Sequence, residues 1–116
     1  MRYMLLIYVD EVKGQAIAKE VGQAQMSAPY MAYTEALKKA GALLGGDRLQ
    51  PTSAATTVKV ADGRTQVLNG PYAETKEQLG GYYMIEAEDL DAALAWAARC
   101  PGAAHGTIEV RPIWSM

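Results

Sequence analysis

Phenylalanine is absent from this 116-residue chain, cysteine and histidine occur once each, and neither sign of charge prevails. A single cysteine cannot close an internal disulfide, so a reducing compartment, the cytoplasm, is expected. One histidine and one cysteine cannot build a His-rich metal site or a thiolate cluster, and no metal or other cofactor is expected. Eleven basic side chains against thirteen acidic ones leave a net charge of -2, without the basic excess that nucleic acid demands. The longest strongly apolar run, Met4–Val9, is far short of a membrane span, and the N-terminus has no charged leader before a long apolar core. P-loop, dinucleotide-type glycine fingerprint and G-x-S-x-G are all missing. What is present is ordinary: 50% apolar and 21% charged residues, the composition of one globular domain spanning 1–116. That length buries a sufficient core without staples.

Tyr3–Val9 reads as a strand apolar on both faces, with Tyr3, Leu5, Ile7 and Val9 on one and Met4, Leu6 and Tyr8 on the other. Residues 11–26 are weakly periodic and read as loop with at most a helical turn. A helix is predicted from Ser27 to Ala40, with Ser27 as N-cap, Pro29 in the first turn and Gly41 as the stop. Its stripe is Met26, Tyr30, Tyr33, Leu37 and Ala40. Ala42-Leu43-Leu44 makes a short strand that bends at a bulge or runs into loop at Gly45-Gly46. Thr56–Val60 alternates as a half-buried strand, Asp62-Gly63 signals a hairpin, and Thr65–Leu68 returns. Asn69-Gly70-Pro71-Tyr72 is a turn, and Ala73–Leu79 makes a turn or two of helix. Gly80-Gly81 opens a second two-faced apolar strand, Tyr82–Ile85. Asp89 caps a helix lined by Leu90, Ala93, Leu94 and Ala97, with Trp96 at its flank, which Pro101-Gly102 ends. Thr107–Trp114 is the last strand, and Pro112 places its end at an edge.

This order predicts an α+β fold: a ferredoxin-like antiparallel sheet with helices on one face. Two helices cannot cover both sides of such a sheet, yet two strands are apolar on both. The exposed face would be a patch of several hundred Å², too large for a typical monomer. Sheet packed on sheet across a twofold axis, a dimeric α+β barrel, relieves this, and a homodimer is expected.

Met1–Glu11, Asn69 through Glu86 with its Gly-Pro-Tyr-Ala-Glu-Thr-Lys-Glu-Gln-Leu-Gly-Gly-Tyr-Tyr block, Asp89–Arg99 and Glu109–Pro112 resemble the DGPF-motif proteins of the YciI-related superfamily. The resemblance implies the same dimeric barrel. Most of those proteins have no known function. Some relatives are encoded beside, or fused to, ECF-type sigma factors, and a few in the wider superfamily act on small ring compounds with a His–Asp pair. Here the motif reads Asn69-Gly70-Pro71-Tyr72, and Asn cannot take a proton near neutral pH. Tyr30 stands where the catalytic relatives carry His, and Cys100 where they carry Asp before a proline. Neither half of the catalytic pair is present.

The candidate ligand-binding residues are therefore Tyr8, Tyr30, Asn69, Gly70, Tyr72 and Lys76, phenol and amide handles in apolar surroundings. Asn69, Gly70 and Tyr72 equally suit a plain turn, and Glu74, Lys76 and Glu77 the solvated face of a short helix. Tyr8, Tyr82 and Tyr83 suit core or interface positions, and His105 an exposed loop. Three functions compete: a small-molecule-binding regulatory accessory protein; a cofactor-independent lyase or isomerase using Asp10 or Glu74 as base with Tyr8 or Tyr72 as donor; and a partner module for a sigma factor, implied by the resemblance alone. The lyase reading requires Asp10, Asn69 and Tyr72 to converge on one concavity.

Overall fold

The apolar run near the N-terminus forms a strand, β1 (Arg2–Val9), and the rest of the sheet is arranged about it. The computed structural model describes residues 1–115. After β1 come α1 (Glu11–Val21), α2 (Gln23–Lys39), β2 (Leu43–Arg48), a 3-10 turn (Thr52–Ala54), β3 (Thr56–Ala61), β4 (Arg64–Asn69), β5 (Gln78–Glu86), α3 (Leu90–Arg99), α4 (Gly102–His105) and β6 (Thr107–Pro112). The main sheet is antiparallel in the order β2-β5-β1-β6, the ferredoxin-like order, and β3-β4 form a separate two-stranded hairpin. The fold is α+β, as the order of elements predicts.

Alternation along β1 sends Tyr3, Leu5 and Ile7 into the core, where they meet Ile85 of β5, Tyr33 and Leu37 of α2, and Ala93 and Ala97 of α3. Met4, Leu6 and Tyr8 fall on the opposite face and remain half-buried. Pairing of Met4 with Met84, Leu6 with Tyr82 and Tyr8 with Leu79 extends that open face across β5. On β6 it carries the Glu109–Arg111 ion pair.

Several expectations need correction. Residues 11–26 are mostly helical, not loop. Asp10 caps α1 by accepting a hydrogen bond from the Lys13 amide, and good helix formers follow. No α1 side chain is buried, which is why no apolar stripe marks it. The next helix starts at Gln23, behind Gly22 at φ 87°, so Ser27 is not its cap and Pro29 lies inside it. Its end is as expected: Gly41 takes φ 69°, and the Ala42 amide reaches back to the Leu37 carbonyl. Of the two alternatives at Gly45-Gly46 the bulge holds: the register shifts between Leu43 and Gly45, and β2 runs on through the glycines to Arg48. A Cβ on Gly46 would lie 2.8 Å from the Tyr82 carbonyl oxygen, so the close cross-strand approach requires glycine there. Ala73–Leu79 forms no helix, and β5 already begins at Gln78, with Gly80-Gly81 inside it. The buried stripe of α3 is Ala93 and Ala97, while Leu90 and Leu94 face solvent. Asp89 caps that helix through the Ala92 amide, as predicted. His105 is exposed, but it ends a short helical turn. The last strand stops at Pro112, on the edge strand, and Trp114 lies beyond it, exposed.

The Asp62-Gly63 signal holds. Both residues have positive φ, 51° and 73°, the geometry of a tight two-residue hairpin turn. The strands it joins are not half-buried: every residue of β4 is exposed, as are four of the six in β3.

Candidate functional site

The chemistry-bearing side chains fall into three groups. The first lies between α2, β5 and the end of α3. Packing of α2 on the sheet brings Tyr33 edge-on to Tyr83, with ring centroids 5.3 Å apart, and edge-on to Trp96 at 6.1 Å. The Tyr33 hydroxyl donates to the Trp96 carbonyl at 2.6 Å. Thr34 and Tyr83 share a hydroxyl–hydroxyl hydrogen bond of 2.8 Å. Tyr30 adjoins this group and also Gly102, where an added Cβ would come within 2.9 Å of its hydroxyl. Gly102 is thus what leaves room for that phenol.

Burial pushes the Tyr30 phenol up to about 12; Cys100 and Tyr83 push the same way and Arg48 opposes them. Tyr33 is raised as well, by burial first and then by Cys100 and Tyr83. Burial also raises Tyr83, against a lowering hydrogen bond from Thr34, and raises Cys100, against one from the Gly102 backbone. Every acid in this group keeps its proton at neutral pH. The cluster offers hydrogen-bond donors and apolar rings, with no base and no thiolate.

That protonation has a consequence for stability. A thiol ordinarily ionises near 9.0 and a phenol near 10.0, and both are held higher in the fold. The folded chain therefore keeps protons that the unfolded chain has released. This stability is complete below about pH 9 and is lost as the pH rises from there toward about 12. Melting followed by circular dichroism is expected to give a lower Tm at about pH 11 than at about pH 8. Equal values would contradict the assignment, and Cys100→Ala should delay the onset to the phenol range.

The second group lies at the end of β1, and sequence patterns gave no sign of it. Glu11 begins α1, and its carboxylate accepts from both the Thr52 amide (2.8 Å) and the Thr52 hydroxyl. The Glu11 amide in turn donates to the Gln78 side chain at 3.1 Å. Thr107 donates to Glu77 nearby in the fold of the chain, at 2.8 Å. Forty-one residues separate Glu11 from Thr52, so no local spacing could reveal the pair. Glu11→Ala leaves the Thr52 amide without its acceptor and is expected to cost about 1–3 kcal/mol in chemical denaturation. Glu11→Gln, which keeps an acceptor, should lose less.

The third group is the segment after the hairpin. Gly70, at φ 110°, donates its amide to the Ala55 carbonyl (2.7 Å) and accepts from the Thr57 hydroxyl (2.7 Å). Asn69 pairs with Thr56 at the end of β4 and is exposed. Tyr72 is 91% exposed, and Glu74 and Lys76 are exposed too.

Of the sequence-predicted residues, Tyr30 lies on the helix-covered side and Tyr8 on the open face of the sheet. Asn69 and Gly70 stand together at the hairpin base, with Tyr72 and Lys76 on the exposed stretch beyond. Asp10 is committed to the α1 cap. One surface cleft of about 470 Å³ lies between α2 and the α3–α4 corner, lined by Pro29, Ala32, Tyr33, Ala36, Arg99, Pro101, Ala104 and His105. Another, of about 350 Å³, is formed by Leu49, Gln50, Pro51, Ala54 and Ala55. Neither is lined by the six candidate ligand residues or by Asp10, although Gly70 touches the second through Ala55. Among the described residues no helix is long and apolar enough to cross a membrane, and no group of three or more His, Cys, Asp or Glu is placed to hold a metal ion.

Comparison with known proteins adds two findings. Residues 1–116 match the family described as YCII-related domain. An uncharacterized protein of Rhizobium meliloti is 42% identical, over 97% of this chain and 92% of its own length.

Proposed function

The chain belongs to the YCII-related domain family, and we propose that within it this protein is a homodimer that binds a small molecule and serves as a regulatory accessory protein. The observation that carries the binding reading is the protonated phenol cluster about Tyr30. It sets the neutral Tyr30 hydroxyl beside the apolar rings of Tyr33 and Tyr83, with the Arg48 cation close enough to act on Tyr30 and Tyr33 lining the larger cleft, which suits a small aromatic or anionic compound. It also holds no group able to abstract a proton at neutral pH. Asn69, Gly70, Tyr72 and Lys76 remain proposed contributors from the hairpin base, and Tyr8 from the open face. The lyase reading has less support, because Asp10 caps a helix and Glu74 is exposed. No observation favours the sigma-factor reading.

Dimerisation is supported by surface arithmetic. The protomer exposes 8341 Å², whereas a compact monomer of this mass exposes about 6,200 Å². Its radius of gyration is 16.0 Å and its thinnest dimension 18 Å, against a radius of about 13 Å for a compact chain of this length. The excess of about 2,000 Å² per protomer is in the range that obligate dimers bury. Met4, Leu6, Tyr8, Leu79, Tyr82 and Met84 form a half-buried apolar face on the side of the sheet away from α2 and α3, and among the described residues no helix packs closely over it.

A thermal-shift screen of small aromatic and carboxylate compounds tests the binding reading. A true ligand at a hundred times its Kd should add about 2.7 kcal/mol of stability. Tyr30→Phe should abolish the shift while leaving the unliganded Tm nearly unchanged. No shift with any compound, or a compound recovered chemically altered, would overturn it.

A further inference from the structure

We propose that the β3–β4 hairpin is an arm that each protomer lays against a second copy of this chain, with the Val58, Val60 and Val67 face at the contact. The inference rests on the homodimer reading and adds to it which element reaches across. Cross-strand pairing puts Val58 opposite Val67 and Val60 opposite Thr65, so the three valines share one face. They are 60% to 65% exposed, and among the described residues no other strand or helix packs closely over the hairpin. The reverse face carries Lys59, Arg64 and Gln66 beside Leu68 and needs no cover to stay soluble.

A two-stranded hairpin standing alone is marginal in water and needs a further layer on its apolar face. The body of the protomer does not provide that layer. The body does fix the direction of the arm: Glu11 grips Thr52 just before β3, Gly70 donates to Ala55, and Thr57 donates to Gly70. Such a clamped base suits an element that must reach one fixed place, and a tethered loop would have no use for it. A second copy is the occupant that fits, because the surplus surface of the protomer is in the range a dimer buries and the hairpin forms part of that surplus.

The test uses the full chain. Val58→Asp combined with Val67→Asp should raise the dimer Kd about a hundredfold or more in sedimentation equilibrium, since each dimer would bury the charges twice. Lys59→Asp, on the reverse face, should leave Kd within about threefold of wild type. Hydrogen exchange on the unmodified dimer is the second measurement, and it decides the matter if the double variant fails to fold. Amides of residues 56–69 should exchange about as slowly as those of β5, whereas exchange at the rate of an unstructured chain would overturn the proposal. A wild-type dimer whose affinity ignores the valine changes overturns the arm and leaves the dimer standing. A wild type that is monomeric overturns both.

Discussion

Leu6→Lys should split the dimer while sparing the fold of each protomer. Leu6 sits mid-strand on the open face, opposite Tyr82 on β5 and Glu109 on β6. On a lone protomer a lysine there would reach water, and a half-buried surface change of this kind costs little. Between two apposed sheets it would bring two ammonium groups, one from each copy, into an apolar layer. Glu109 beside it is already paired with Arg111, so each buried ammonium would cost several kcal/mol, and about 4 kcal/mol raises Kd about a thousandfold. Sedimentation should report a monomer at concentrations where wild type is dimeric, with circular dichroism unchanged. An unaltered Kd would mean that this face is not the contact.

Leu37→Ala is expected to weaken the protomer itself. Leu37 is fully buried in a cluster with Leu5, Ile85 and Ala97, where α2 meets the sheet. Removing its three terminal carbons loses their transfer free energy and leaves a cavity that rigid neighbours fill only in part. The cost is about 3–4 kcal/mol, and the Tm should fall by about 10–15 °C. Met31→Ala, on the exposed side of the same helix, should change stability by less than about 0.5 kcal/mol. Comparable losses at the two positions would contradict the burial pattern. Because Leu37 lies behind the sheet, its loss should lower the melting temperature without the steep change in Kd expected for Leu6.

The central strand, the Asp62-Gly63 turn, the Asp89 cap and the Gly41 stop were legible in the sequence because each depends on neighbours within a few residues. Alternation at period two and positive-φ residues between apolar runs are local signals. The strand order followed, since few topologies accommodate that sequence of elements. What escaped depends on distant partners. Gly45-Gly46 reads equally as a bulge or as a run into loop until β5 is laid beside it and the carbonyl of Tyr82 occupies the space a side chain would need. The first helix has no buried face, so hydrophobic periodicity had nothing to report, and its Asp10 cap was the one signal present. Leu90 and Leu94 looked like core because alanine is a weak marker of burial, yet the small side chains of Ala93 and Ala97 are what let α3 lie close to the sheet.

The candidate site was less legible than the fold. Tyr30 was marked by its place on the helical stripe and by the family resemblance. Its relation to Tyr83, Cys100 and Gly102 arises only when residues more than fifty positions apart are folded together. The Glu11–Thr52 clasp has the same origin. In this small domain the polar contacts that orient the hairpin and the phenol cluster are nearly all long-range, and local patterns carry no record of them.

The mass of the wild-type protein in solution tests the central claim most directly. Sedimentation equilibrium, carried down to nanomolar concentration, should give twice the 12.5 kDa chain mass for the unmodified chain. A stable, fully folded species at the single-chain mass would show that the open apolar face needs no twin, and the proposed assembly would fall with it.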